Sequence, residues 1–251
     1  MEKRLTNKVA IVTGASKGIG AGIARQMGAA GAKVVVNYAS NKTDADKIVN
    51  EITGQGGTAI AIQGDVSKSG DVKRIFEETK KAYGRLDILV NNAGIYWALP
   101  LEDVKEEDYR KMFDVNVLGA LLTSQQALKL FDENGGSIIN ISSIVSTDAA
   151  PTLSVYGASK AAMSLITTSL AQELAPKNIR VNSVRPGMIL TEGQANFGFV
   201  PGNPFVEVMK GRTALGRLGT PDDIANVVIF LATDQANFVT GQEIEVSGGF
   251  K

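Results

Sequence analysis

Val9-Ala10-Ile11-Val12-Thr13-Gly14-Ala15-Ser16-Lys17-Gly18-Ile19-Gly20 is the stretch on which the fold turns. The apolar run 9–12 is short and rich in β-branched residues, as a strand covered on both faces requires. It passes into three closely spaced glycines and then into a helix-like pattern over 18–30. Glycines at such a junction allow a tight turn and let the backbone approach a pyrophosphate. The N-terminus of the following helix adds free N–H groups and a partial positive charge. The spacing is G-x-x-x-G-x-G rather than the commoner G-x-G-x-x-G. Its place between a first strand and a first helix gives it meaning. Gly14, Ser16, Lys17, Gly18, Ile19 and Gly20 are therefore the candidate contacts for a phosphate-bearing cofactor.

The same alternation continues outward from this stretch. Strand-like runs occupy 33–37, 58–62, 86–90, 137–141, 179–184 and 243–246, and helix-like runs occupy 43–54, 69–83, 106–130, 156–175 and 221–232. Pro221-Asp222-Asp223 opens the last helix, and Gly31 and Gly84 follow earlier ones as stop signals. Strand–helix alternation implies βαβ units and a parallel sheet, hence an α/β, doubly wound fold. No repeat, low-complexity tract or linker divides the chain, so residues 1–251 read as one domain. The segment 193–219 breaks the rhythm. It holds six glycines, two prolines and three phenylalanines, with little periodicity. A long irregular stretch at the end of a strand reads as a substrate lid, at about 190–219.

Bulk properties exclude several functions. Among 251 residues, 26 basic side chains balance 26 acidic ones, so no basic stripe points to nucleic acid or anionic lipid. No apolar run approaches the roughly 18–20 residues of a membrane span. The charged start Met1-Glu2-Lys3-Arg4 lacks the pattern of a signal peptide. A cytoplasmic location is the expectation. The chain contains neither cysteine nor histidine. That removes thiolate chemistry, Ser-His-Asp triads and His- or Cys-ligated metals, and no metal site is expected. Proton transfer falls to Tyr, Lys, Asp, Glu or a water chain.

Tyr156-Gly157-Ala158-Ser159-Lys160 supplies such a group. Positions i and i+4 of a helix share a face, so the phenol and ammonium point into common space. A nearby cation lowers a phenol's pKa and fits it to exchange a proton with an alcohol oxygen. Ser143, upstream, is placed to hold the same oxygen.

The end of the second strand bears on the cofactor. Sites for NAD carry an acid there, bonded to the ribose 2′-hydroxyl. Here the run is Asn37-Tyr38-Ala39-Ser40-Asn41-Lys42, with no acid. Its absence admits a 2′-phosphate, and Lys17 with Ser40 or Lys42 would add charge-assisted hydrogen bonds. The sequence favours NADP(H) over NAD(H), although no arginine stands at Ala39 and Lys42 reads foremost as a solvated surface residue.

Taken in order, Thr13-Gly14-x-x-x-Gly18-x-Gly20, Asp65-Val66, Asn91-Asn92-Ala93-Gly94, Asn116, Ser143, Tyr156-x-x-x-Lys160 and Pro186-Gly187 with Thr191 resemble the short-chain dehydrogenase/reductase family over essentially the whole chain. The resemblance implies a seven-stranded Rossmann-like sheet in the order 3-2-1-4-5-6-7. It implies that Tyr156 is the proton donor in reduction and that Ser143 bonds the substrate oxygen. Lys160 would lower the tyrosine pKa and bond the nicotinamide ribose, and Asn116 would carry a water-linked proton relay. Asp65 and Val66 would meet the adenine, Asn92, Ala93 and Gly94 the ribose and phosphates, and Pro186, Gly187, Ile189 and Thr191 the nicotinamide end. Without the resemblance Asn116 reads as structural.

The resemblance also frames the substrate. 3-Oxoacyl-carrier-protein reductases, glucose 1-dehydrogenases and carbonyl reductases share this pattern, and a dinucleotide-binding sensor without turnover is the reading from another class. Acids at Asp132 and Glu133, before the fifth strand, argue against docking an acidic carrier. Ile95, Tyr96, Trp97, Ile144, Val145, Phe197, Phe199 and Phe205 suggest an apolar mouth and a hydrophobic ketone. A homotetramer is implied, with helices at about 106–130 and 156–175 at one interface.

Overall fold

The protein is described by a computed structural model covering residues 3–148, 150–195, 200 and 202–251. Strand β1 (Val9–Val12) is wholly buried. It pairs in parallel with β2 (Lys33–Tyr38) on one side and β4 (Ile88–Asn91) on the other. With β3 (Thr58–Gln63), β5 (Gly136–Ile141), β6 (Ile179–Pro186) and β7 (Glu243–Val246) they form one parallel sheet in the order β3-β2-β1-β4-β5-β6-β7. The order reverses direction at β1. A crevice therefore opens at the carboxyl ends of β1 and β4, where doubly wound sheets bind their ligands.

Helices cover both faces, which explains the unbroken Val/Ile runs. Helices α1 (Gly18–Ala29), α2 (Lys42–Gly54) and α9 (Pro221–Ala232) close a core over Val12, Val34, Val36, Val90 and Ile139. Helices α3 (Ser69–Tyr83), α5 (Gly119–Ala127) and α6 (Ser154–Leu174) cover Ile11, Val35, Leu89, Ile138 and Val181. Alternate residues of the same strands feed the two cores, as the pleat requires. Helix α9 starts with a capping box in which the Thr220 side chain accepts from the Asp223 N–H and Asp223 accepts from the Thr220 N–H.

Two expectations are corrected. The helix expected over 106–130 is interrupted: α4 (Glu106–Phe113) and α5 are joined by a π-helical segment, Asp114–Leu118. The segment 193–219 is not irregular throughout. A short helix α7 (Glu192–Ala195) begins before it, and α8 (Pro204–Gly211) lies within it. Asn203 Oδ1 accepts from the Phe205 N–H, Pro204 takes the first turn, and only Val206 of α8 is buried. A helix held by its cap and one buried residue leaves almost no periodic trace. Phe197 and Phe199 lie outside the described residues. No helix among the described residues is long and apolar enough to cross a membrane.

Candidate active site

The glycine turn fits a phosphate because no side chain among the described residues caps it. Lys17 occupies the N-cap position of α1 in extended geometry, gives no side-chain cap, and no acid stands in the first turn. The first N–H groups of α1, over Gly18, Ile19 and Gly20, are left without intrahelical partners, next to half-exposed Ser16 and exposed Lys17. Gly14 has φ 61°, and a Cβ on it would stand 2.9 Å from Ala93 Cα. A Cβ on Gly20 would stand 2.4 Å from Asn92 Nδ2 and 2.6 Å from the Gly14 carbonyl oxygen. Neither position admits a side chain without moving the turn.

Two asparagines expected to touch the cofactor hold the turn through their side chains. Asn37 is buried, its Oδ1 accepts from the Gly14 N–H at 3.2 Å, and its Nδ2 donates to the carbonyls of Ile62 and Gly64. Asn92 Nδ2 donates to the carbonyls of Thr13 (2.8 Å) and Gly14 (3.1 Å). Thr13, not singled out as a site residue from sequence, accepts from the N–H groups of Asn92 and Ala93 at 3.0 Å each. These bonds span about eighty residues and have no local signal. Tyr38 is buried in the core, Ser40 is exposed, and Lys42 pairs with Asp46 one turn along α2. Asp65 Oδ1 accepts from the Ser67 N–H and hydroxyl, while Val66 is buried. Pro186 ends β6, Gly187 donates to the Val246 carbonyl, and Ile189 is buried. Thr191 lies beside the turn, since a Cβ on Gly18 would meet its Cγ2 at 3.6 Å.

The catalytic candidates do converge. Helix α6 starts at Ser154, which sets Tyr156 and Lys160 on one face at its N-terminal end. Ser143 follows β5, its Oγ accepts from the Val145 N–H, and its hydroxyl stands close enough to the Tyr156 phenol to oppose the effect of burial on it. Lys160 is buried, and its Nζ donates to the Ile141 carbonyl at 2.8 Å and lies 5.8 Å from the centroid of the Tyr156 ring. A Cβ on Gly94 would meet Asn116 Oδ1 at 3.3 Å and Lys160 Nζ at 3.4 Å, so Gly94, Asn116 and Lys160 are neighbours.

Asn116 sits in the π-helical segment and is buried. Its Nδ2 donates to the Ile95 carbonyl (2.9 Å) and Ser159 Oγ (3.0 Å), and its Oδ1 accepts from the Ile95 N–H (2.8 Å). Ser159 in turn donates to the Tyr156 carbonyl at 2.7 Å. Both donors of the Asn116 side-chain amide are thus engaged, and Asn116 ties the segment following β4 to the N-terminal part of α6. The sequence carries no sign of Ser159 in this chain of bonds.

The expected electrostatic tuning is also corrected. The Tyr156 phenol is pushed up to about 12, first by burial, with the Ser143 hydrogen bond opposing it. Burial brings the Lys160 amine down to about 8. Helix spacing brings the two groups together, but desolvation of each outweighs their attraction when the ammonium faces a carbonyl.

The sequence profile described as "Enoyl-(Acyl carrier protein) reductase" matches residues 14–251. An uncharacterized oxidoreductase of Methylorubrum extorquens is 52% identical, over 99% of both chains. A 3-oxoacyl-[acyl-carrier-protein] reductase of Synechocystis is 40% identical over 98% of this chain and 97% of its own. This chain belongs to the short-chain dehydrogenase/reductase family. Among solved structures, the angucycline C-6 ketoreductase LanV with bound NADP superposes with a TM-score of 0.92 at 38% identity, covering 99% of this chain and 97% of that chain.

In this short-chain dehydrogenase/reductase the open glycine turn and the α1 N-terminus suit a nicotinamide dinucleotide, which supplies the hydride when bound. Tyr156 keeps its phenol protonated beside the Ser143 hydroxyl, an arrangement of two hydroxyls that could serve one carbonyl oxygen. Lys160 is cationic at neutral pH, and its Nζ lies 5.8 Å from the centroid of the Tyr156 ring.

Proposed function

We propose that the protein is an NADPH-dependent reductase of hydrophobic ketones. The supporting observation is the surroundings of the reacting hydroxyls. Tyr156, close to Ser143, lies against the ring of Tyr96, Ile144 next to Ser143 is buried, and Phe205 and Val200 are half-exposed on the lid. Those surfaces suit an apolar substituent better than a sugar. NADPH is the preferred cofactor because no carboxylate stands in the run 37–42 at the end of β2, and exposed Lys17 at the turn makes no ion pair among the described residues. Half-exposed Leu118 and Leu121, with exposed Leu165, leave an apolar face on the central helices, which supports a homotetramer of cytoplasmic enzyme.

A panel of alkyl and aryl ketones with NADPH and with NADH tests this reading. Oxidation of NADPH by ketones is expected, and turnover of glucose or acyl thioesters alone would refute it. Tyr156→Phe should lower turnover by about 10²–10⁴-fold while cofactor still binds. A non-catalytic sensor would keep its output in that variant. The second reading, a 3-oxoacyl-thioester reductase, is favoured by the Synechocystis relative. The acids that seemed to oppose it, Asp132 and Glu133, precede β5 and so lie at the end of the parallel sheet away from Tyr156, with Asp132 paired to Arg85. Acetoacetyl-CoA belongs in the panel for that reason.

A further inference from the structure

We propose that Tyr96 is the specificity-determining wall of the substrate pocket and that it selects carbonyl compounds bearing a flat aromatic ring. The inference deepens the ketone-reductase reading and rests on it. Tyr96 is held in place from both sides. The Asn116 amide clamps the N–H and carbonyl of Ile95, and the Leu99 N–H donates to the Thr152 carbonyl at 2.8 Å, just ahead of α6. The segment 95–99 is thus tied to the π-helical segment and to the turn that leads into α6, the helix that carries Tyr156.

Thus fixed, the Tyr96 ring stands 5.5 Å from the Tyr156 ring, tilted by 48°. It remains 54% exposed. A tyrosine placed for packing would bury its face, and its hydroxyl would find a partner. The Tyr96 hydroxyl has none among the described residues. The adjacent Trp97 turns inward: its indole nitrogen is buried without a hydrogen-bond partner among the described residues, and Lys111 Nζ lies 5.8 Å from the centroid of its ring. Successive aromatics divide the work, one supporting the loop and one presenting a face.

A carbonyl oxygen within hydrogen-bond reach of Tyr156 and Ser143 carries its substituents on the adjoining carbon. One substituent then falls within a ring's breadth of Tyr96. Aromatic pairs at centroid separations of about 4.5–7 Å in tilted or offset geometry gain more than their burial alone. That gain corresponds to a discrimination of about threefold to tenfold for an aryl over a saturated ring of the same size.

The test compares acetophenone with cyclohexyl methyl ketone, which differ only in saturation of the ring. Tyr96→Phe should preserve the ratio of their kcat/KM values. Tyr96→Ala and Tyr96→Leu should lower kcat/KM for acetophenone by about threefold to tenfold more than that for the cyclohexyl ketone. Equal losses for both ketones, or no loss for either, would overturn the inference while leaving the ketone-reductase reading intact. Binding of acetophenone to the NADP-loaded protein, followed by fluorescence of Trp97, the only tryptophan in the chain, separates the two ideas. If the wild type reduces neither ketone, that reading falls. The inference then stands only if Tyr96→Ala weakens acetophenone binding by the same factor, and is overturned if binding is unchanged.

Discussion

Replacing Lys160 by methionine should stabilise the protein at neutral pH while abolishing turnover. The side chain is buried, and its amine is brought from 10.5 down to about 8 by desolvation. At about 1.36 kcal/mol per pKa unit, holding the charged form in the folded protein costs roughly 3 kcal/mol at pH 7. Against this, methionine loses the 2.8 Å bond to the Ile141 carbonyl, and an acceptor left unpaired costs about 1–3 kcal/mol. The net expectation is a gain on the order of 1 kcal/mol. The sign with pH is more decisive than the size. A lysine with a depressed folded pKa carries its full penalty below about 8, and the penalty vanishes above the unfolded value near 10.5. The wild type should therefore lose its disadvantage, relative to Lys160→Met, as pH rises from 8 to 10.5. Other titrating groups are common to both proteins and cancel in the difference. Urea midpoints at pH 7 and pH 10, at one protein concentration, read this directly. A Lys160→Met protein less stable than wild type by the same margin at both pH values would refute the reasoning.

Three further outcomes follow from the same geometry. Ketone reduction should fall as pH rises through about 8, because Lys160 loses its charge there while Tyr156, pushed up to about 12, stays protonated; kcat/KM at saturating NADPH from pH 6 to 10 checks it. Asn116→Ala removes bonds of 2.8, 2.9 and 3.0 Å and should lower stability by about 1–3 kcal/mol, with a loss of kcat/KM beyond what the stability change explains, read by urea melts beside kinetics. Ala39→Asp, at an exposed position after β2, should raise KM for NADPH about tenfold or more and leave KM for NADH within a few-fold, because a carboxylate there repels only a 2′-phosphate.

The parts of this molecule that could be read from sequence are those fixed by local period. Strands such as Val34–Val36 are unbroken apolar runs because both faces are covered, and the helices between them repeat at the helical period. Tyr156 and Lys160 were legible because four residues of helix place them together. The π-helical segment Asp114–Leu118 was not, since it contains neither proline nor glycine and reads as ordinary helix. Nor was the work of Thr13, Asn37 and Asn92, whose partners lie on other strands. Each looked like a ligand contact, or like nothing, because a polar side chain's period does not say whether it faces a cofactor or a neighbouring carbonyl. The sign of the Tyr156 shift failed for the same reason. Spacing along a helix reports proximity, whereas burial depends on Ser143, Tyr96 and the end of β5, which arrive from elsewhere in the chain.

Opposite displacements of phenol and amine suit reduction better than a phenol already made acidic would. A proton donor must hold its proton until the hydride moves, and burial ensures that Tyr156 does so across the neutral range. An ammonium stabilises a phenolate only as that phenolate forms, so the help it gives belongs to the transition state rather than to the resting enzyme. Lys160 is placed for that: it is buried, fixed by the Ile141 carbonyl, and 5.8 Å from the ring it serves. Ser143 stands near the phenol and already opposes the effect of burial on it. Fixed dipoles and charges aimed at where charge will appear need no rearrangement when it does. The penalty of burying the lysine is then the stability the fold gives up to have a cation waiting beside a neutral phenol.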